Sequence, residues 1–418
     1  MSYSLSSIPK FNDLMFSREN RKEVAKSLNL KYNIWKDRNN GSNYHILKYN
    51  KEWMCVDSLR TIGLLRSVIL DDDDNSIVCF APPKSLISDN LTIENGKTYT
   101  AEAFIEGTMI NMFYDKKGKC FQIATRSCVG GDMCFYMENG FNKDITFRKM
   151  FDEVCMSIGF DYKNNESLNK DYIYSFVMQH PNNRIVKSIS EMKLYLTDVF
   201  QIVEYTTVKI IDFRKMNLLE GVCDKIKTPN QSVITSNEAL QQCKETCASM
   251  NTSYHIQGVV IKTDDGERYK FRNPNYEHVR HLRGNQPKLQ YQYLVLRQSG
   301  KVKEYLQYYP EHKKPFEEFR SAMHDYTNQL FNNYKRCYVK KEAELKTFPD
   351  KYKTHMYVLH HEVFLKELRP ENKYITKEVV INYINKVHPA KIMFVMNYDL
   401  RKKFVEENRI NTDVQEDQ

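Results

Sequence analysis

The chain has 418 residues, 41% hydrophobic and 28% charged, which suits two or three domains around a sizeable core and excludes a disordered chain. Its net charge of +9 favours an anionic partner, but an excess this moderate does not separate nucleic acid from plain solubility. No apolar run approaches the roughly 20 residues that span a bilayer, and Met1-Ser2-Tyr3-Ser4-Leu5 opens no secretory signal, so neither a membrane span nor export is expected.

The ten cysteines stand singly, with no Cys-x-x-Cys pair, and read as reduced thiols of a cytoplasmic protein. Cys243 and Cys247 lie one helical turn apart, but His255 is the only nearby third ligand for zinc, so no metal site is expected.

In chain order, a helix is predicted at Ser17–Ala25 within a mixed, polar stretch that runs to about residue 45. Ser67–Leu70 and Ser76–Phe80 flank Asp71-Asp72-Asp73-Asp74-Asn75 and predict a hairpin with a solvated acidic turn. Strands are predicted at Thr98–Phe104, Met109–Tyr114 and Phe121–Thr125, with a turn at Lys117-Gly118. The two-residue period puts Glu102, Phe104 and Glu106 on one face, an odd setting for a core phenylalanine and a better one for a pocket.

Phe147–Ile158 predicts a helix that is apolar at Phe147, Phe151, Val154 and Cys155. Strands follow at Tyr172–Met178, Lys193–Leu196 and Val208–Ile211, then a helical segment at Asn237–Cys243. His255–Lys262 and Arg268–Phe271 predict a hairpin turning on Asp264-Asp265-Gly266. Asn273-Pro274 ends the second strand, and Tyr276, His278, Arg280, His281 and Arg283 lie on the helix after it. Basic residues interleaved with an aromatic suit a nucleic-acid backbone and base; a hinge helix is the plainer reading.

Beyond about Tyr293 the texture is helical and charged, as in Glu317–Tyr334, with breaks at Pro349, Pro370 and Pro389 and shorter helices at Asn382–Val387 and Lys391–Phe394. The basic and aromatic run Tyr334–Lys341 reads first as a solvated helix face and second as an RNA contact. The expected class is α+β, with an antiparallel-sheet body over 1–290, a mostly helical domain over 291–410 and a disordered acidic tail at 411–418.

Four segments then stand in a telling order. Leu65-Arg66-Ser67-Val68-Ile69 leads to Phe80-Ala81-Pro82-Pro83-Lys84, and Phe104-Ile105-Glu106-Gly107-Thr108 leads to Ile123-Ala124-Thr125-Arg126-Ser127. Ser175-Phe176-Val177-Met178-Gln179-His180-Pro181-Asn182-Asn183-Arg184-Ile185-Val186 comes next, then Ile256-Gln257-Gly258-Val259-Val260-Ile261-Lys262 and Tyr269-Lys270-Phe271-Arg272. Collinear over roughly residues 45–285, these short, diverged runs resemble the phage-type RNA ligases, covalent nucleotidyltransferases that seal RNA breaks.

The resemblance implies a nucleotidyltransferase body (ligase-like, in the broad ATP-grasp manner) and a helical C-terminal domain. It also marks three losses: Phe104 stands at the nucleophilic lysine of Lys-x-Asp-Gly, and Ser175 and Gln257 stand where the family carries carboxylates. A phenyl ring forms no lysyl-nucleotide bond, so no catalytic residue is expected. The basic positions persist, with Arg66, Lys84, Arg126, Lys270 and Arg272, beside Glu106 and Gly107, expected to hold nucleotide phosphate. Tyr276, His278, Arg280 and Arg283 are the expected nucleic-acid contacts.

Implied partners are RNA and either ATP or GTP, with magnesium only for an active enzyme and no membrane; the location is cytoplasmic, in the host if the chain is viral. Lys262-Thr263-Asp264-Asp265-Gly266 mimics Lys-x-Asp-Gly but is one residue too long and reads as part of the hairpin turn. Two alternatives stay open. One is an active enzyme with Lys84 or Lys97 as a relocated nucleophile; the other is a structural protein that retains only the scaffold.

Overall fold

The computed structural model describes residues 1–36, 41–89, 91–134 and 145–406, so the tail expected at 411–418 lies outside the described residues. The chain divides into two compact units, the first running to His281 and the second from Leu282.

The first unit begins with β1 (Ser2–Ser4), α1 (Phe11–Phe16) and α2 (Arg21–Ser27), then β2 (Leu30–Lys36), β3 (Asn43–Tyr49), β4 (Val68–Asp71) and β5 (Ile77–Phe80). It continues through β6 (Tyr99–Ala103), β7 (Thr108–Asp115), β8 (Cys120–Ala124), α3 (Phe147–Ile158), β9 (Tyr172–Gln179), β10 (Lys193–Val203) and β11 (Thr207–Ile211). β12 (Gln231–Ile234), α4 (Asn237–Ala248), β13 (Gly258–Thr263), β14 (Arg268–Arg272) and α5 (Pro274–Arg283) complete the run.

These strands form three antiparallel sheets, ordered β1-β11-β10-β9-β7-β8, β2-β3-β4-β5 and β12-β6-β13-β14. The body is therefore α+β. Alternation places Phe113, Ile173, Phe200 and Val208 of the six-stranded sheet against the β2–β5 sheet, in one core with Ile46, Ile69 and Phe80. The opposite face, through Ile110, Met112, Phe176 and Leu196, takes the apolar stripe of α3. That helix carries its own signals: the Thr146 hydroxyl accepts from Lys149 N at 3.2 Å, and Gly159 closes the end with φ +74°. Phe151 and Val154 are fully buried, worth about 1.5–3 kcal/mol each.

The first forty-odd residues hold more structure than their polar texture suggests. β2 and β3 go beyond the sequence reading; Leu30, Tyr32 and Ile34 alternate with Lys31 and Asn33, a short strand signal within the polar stretch. The helix expected at Ser17–Ala25 starts at Arg21. Arg21 is fully buried and donates to the α1 carbonyls Leu14 O and Met15 O, both at 2.6 Å, so a charged side chain closes a helix end from within. The acidic turn binds its own backbone, Asp73 N donating to Asp71 Oδ1 at 2.7 Å and Ser76 N to Asp74 Oδ1 at 2.8 Å.

The described residues from Leu282 onward are helical: α6 (Leu289–Gln298), α7 (Val302–Tyr308), α8 (Lys313–Tyr334), α9 (Asp350–Val358), α10 (Lys377–Lys386) and α11 (Pro389–Met396). Rings form much of this core, Tyr305 lying 4.6 Å from Tyr309 and 5.2 Å from Phe316 by centroid. The basic run after α8 winds with π spacing over Lys335–Val339. Its Tyr338 stacks on His360 at 3.9 Å, and Arg336 and Lys340 both pair with Glu342. No helix among the described residues is long and apolar enough to cross a membrane.

Candidate functional site

Register decides what the small sheet presents. Val260 pairs with both Glu102 and Lys270, Lys262 with Arg268 and Gly258 with Arg272, so these side chains share one face. The alternate residues Tyr99, Ala101, Val259, Ile261 and Tyr269 form the core under α4. The polar face is left to line a cleft.

That cleft, about 570 Å³, is lined by seven cationic side chains and no carboxylate. Lys51 comes from the turn after β3, Arg66 from the approach to β4, Lys84 from the segment after β5 and Arg126 from the turn after β8. Lys270 and Arg272 come from β14, and Arg280 from α5. Arg66, Lys84, Arg126, Lys270 and Arg272, singled out in sequence across more than two hundred residues, thus share one wall.

Backbone oxygens hold the cations in place. Arg126 donates to Arg66 O and to Tyr49 O, both at 3.3 Å, with its guanidinium 4.5 Å from the centre of the Tyr49 ring. Arg66 Nη1 donates to Pro82 O at 3.4 Å. The segment carrying Lys84 is tied to β14, Leu86 N donating to Arg268 O at 2.7 Å and Ser88 Oγ to Lys270 O at 3.0 Å. Among the described residues, Glu277 is the one carboxylate within ion-pair distance of the seven, at 3.0 Å from Arg272 and 3.3 Å from Arg280.

Crowded, half-buried cations resist their own charge. Burial, with Arg268 and Arg126 nearby, pushes Arg66 down to about 10. Burial and then Arg268, Arg66 and Arg272 hold Lys270 well below the ordinary lysine range. Lys84 and Lys51 are lowered by the same pair of causes, burial first and neighbouring arginines second. An anion placed here relieves all of these costs together.

A smaller cleft of about 240 Å³ shares Arg66, Lys270, Arg272 and Arg280 with the larger one. Much of the rest of its lining is apolar, including Phe104, Ile105, Met109, Val177 and Val260. Phe104 is half-buried, anchored by its N–H on Gly258 O at 3.1 Å, and the Lys270 ammonium lies 4.5 Å from its ring centre. Gln257 lines the same cleft, with its buried Oε1 lacking a hydrogen-bond partner.

The remaining expected residues separate by depth. The strand parity drawn through Glu102, Phe104 and Glu106 fails, because β6 ends at Ala103. Glu106 turns inward, 6% exposed, and its carboxylate accepts from Val186 N at 3.0 Å and Lys187 N at 3.1 Å. Burial raises its pKa against those bonds, and the Tyr276 hydroxyl donates to it as well. Ser175 is fully buried, with Oγ 2.8 Å from Asn111 Oδ1, and lines neither cleft. Gly107 lines the smaller one.

The expected nucleic-acid contacts come together only in part, Tyr276 and Arg280 both lining the smaller cleft. Tyr276 is 1% exposed, so its ring is not presented for stacking on a base, and Arg283 is 4% exposed with its guanidinium 6.0 Å from the Tyr309 ring centre. His278 is exposed, and Arg280 alone of the four opens on the larger cleft.

Three groups escaped the sequence reading. Lys51 follows a strand that was not foreseen. Arg268 is 8% exposed, lines the smaller cleft, and has no hydrogen-bond partner for Nε or Nη1; the alternation Arg268, Lys270, Arg272 on one strand was its legible signal. Lys262 lies in β13, within the strand predicted for it, but its ion pairs were not legible. Its ammonium meets Asp198 Oδ1 at 2.8 Å, Glu102 Oε2 at 2.9 Å and Thr197 O at 2.9 Å. Burial works against the Asp198 charge, yet Lys262 and Arg268 hold its carboxyl below the usual range.

No family model matches the chain, and no curated protein matches it. Among solved structures it is similar to an archaeal ATP-dependent RNA ligase in two forms. One has a TM-score of 0.39 at 13% identity, over 72% of this chain and 70% of that one. The other has 0.43 at 12%, over 75% and 78%. A Naegleria gruberi RNA ligase with pyrophosphate follows at 0.31 and 12%, over 62% and 82%. At such scores these likenesses decide nothing about the site, whose chemistry rests on the residues above.

Proposed function

We propose that this chain is an RNA-ligase-like protein that holds a nucleotide, or the phosphate-bearing end of an RNA, without becoming covalently nucleotidylated. The observation that carries the reading is the larger cleft, with seven cations and no carboxylate in its lining. Arginine forks and lysine ammoniums converge there as phosphate oxygens require. The collinear motifs supply RNA and nucleotide as the ligand class. Phe104, in the slot of the family nucleophile, offers Lys270 a ring face in place of an amine.

The test has two arms. Incubation with α-labelled ATP or GTP and a divalent metal is expected to leave no acid-labile, alkali-stable adduct, and Phe104→Lys alone is expected to leave none either. RNA affinity is expected to fall several-fold in the Lys270→Ala, Arg272→Ala double variant; unchanged binding there removes the site assignment.

One observation favours a second reading. Lys84 lines the cleft with a lowered pKa, as an amine nucleophile needs, so an adduct that maps to Lys84 would make the protein an active ligase. Lys97 is poorly suited, since it pairs with Asp265 at 2.6 Å and Glu267 at 3.1 Å and lines neither cleft. A bare scaffold predicts RNA binding no tighter than that of any basic protein.

A further inference from the structure

Resting on the reading that the basic cleft takes contiguous phosphate groups, we infer that it takes them free of divalent cation, so that magnesium competes with the protein for its own ligand. The argument starts from the donors. Magnesium keeps near-octahedral oxygen coordination and is usually held by one or two carboxylates beside substrate phosphate. The larger cleft lines none.

Glu102, Asp198 through Oδ1, Glu277 and Glu106, at or beside the two clefts, already answer to protein donors. Glu102, the one acid lining the smaller cleft, meets Lys262 at 2.9 Å and Arg214 at 3.4 Å. Asp198 meets Lys262 at 2.8 Å. Glu277 is shared by Arg272 and Arg280, and Glu106 is taken by two backbone N–H groups. The Lys262 ammonium, ringed by two carboxylates and the Thr197 carbonyl, is itself a tethered cation where a free one would need those oxygens. No cluster of three or more His, Cys, Asp or Glu suited to a metal occurs among the described residues.

Electrostatics points the same way. A phosphate chain carrying magnesium arrives with two fewer negative charges and brings a dication among seven fixed cations, with no acid to offset it. The bare anion meets that charge directly and favours the protonated form of the depressed lysines.

The experiment measures binding of ATP, and of an oligoribonucleotide with and without a terminal phosphate, to the full chain by calorimetry and anisotropy. Buffers contain either chelator or saturating magnesium, with ionic strength matched by sodium chloride. Affinity for ATP, or the affinity gained from the terminal phosphate, is expected to be about tenfold weaker in magnesium. A penalty confined to ATP assigns the site to free nucleotide; one confined to the terminal phosphate assigns it to a strand end; both support the inference. Equal or tighter binding in magnesium overturns it and leaves the phosphate-binding reading standing. Failure to bind any probe in either buffer overturns that reading itself.

Discussion

Lys270 is the residue in which the site's chemistry is most concentrated. It is lowered by burial and by three arginines, and its ammonium lies 4.5 Å from the centre of the Phe104 ring. A lysine whose folded-state pKa is depressed binds fewer protons folded than unfolded, so between that pKa and the ordinary lysine value stability rises with pH. Lys84 and Lys51 act in the same sense. Bound anion restores their pKa values, which gives a linked expectation. Binding of ATP in chelator should take up protons at pH values between the depressed and the ordinary lysine pKa, seen as a dependence of calorimetric enthalpy on the ionisation enthalpy of the buffer. Affinity should fall as pH rises through the depressed lysine values. Binding with no net proton uptake would place the anion away from these lysines.

Among the elements, the segment from Phe104 to Thr108 and the turn after β9 behave as one unit. Gln179 Nε2 donates to Glu106 O at 2.8 Å, Asn183 Nδ2 to Thr108 Oγ1 at 2.6 Å, and Val186 N to the Glu106 carboxylate at 3.0 Å. Two sequence motifs that look like separate ligand contacts are thus largely each other's support. Gly107 makes the junction possible, with φ +154° and a Cβ position that would run into the Met178 carbonyl and lie 2.8 Å from Val177 Cγ1. Gly107→Ala should cost about 2–4 kcal/mol, whereas Gly159→Ala, where only φ is unfavourable and nothing lies within 4 Å, should cost about 1 kcal/mol. Denaturant titration of both variants checks the order; a smaller loss at Gly107 would mean the junction relaxes freely.

Across the whole molecule, a charge of +9 is modest, but its placement is not uniform. Five of the seven cleft cations have no carboxylate in ion-pair distance among the described residues, while Arg336 and Lys340 in the second unit share Glu342. Salt dependence should report that difference. Each phosphate contact to a single strand contributes about 0.7 to the slope of log affinity against log salt. Lys270→Ala with Arg272→Ala should therefore flatten the RNA slope by about 1.4, and Arg336→Ala with Lys340→Ala should change it far less. Equal changes would make the binding a property of overall charge.

The sequence by itself determined the elements that carry their own local signals. Phe147–Ile158 is a helix because Thr146 caps it, Gly159 stops it and its apolar stripe has helical period, and the hairpins at the acidic turn and at Asp264-Asp265-Gly266 declare themselves by short apolar runs around polar turn residues. It also named six of the seven cleft cations, five through the collinear motifs and Arg280 on the basic helix after β14. Tertiary structure alone decided the rest, for reasons of distance and depth. Leu30–Lys36 carries a short alternation at Leu30, Tyr32 and Ile34, but its pairing with β3 is long-range, and Lys51 lies just beyond that partner strand. Burial removed Tyr276 and Arg283 from the surface that one-dimensional spacing offered them. Lys262 became an internal counter-ion because long-range pairing sets Asp198 and Glu102 beside it, and no reading of adjacent residues contains those contacts.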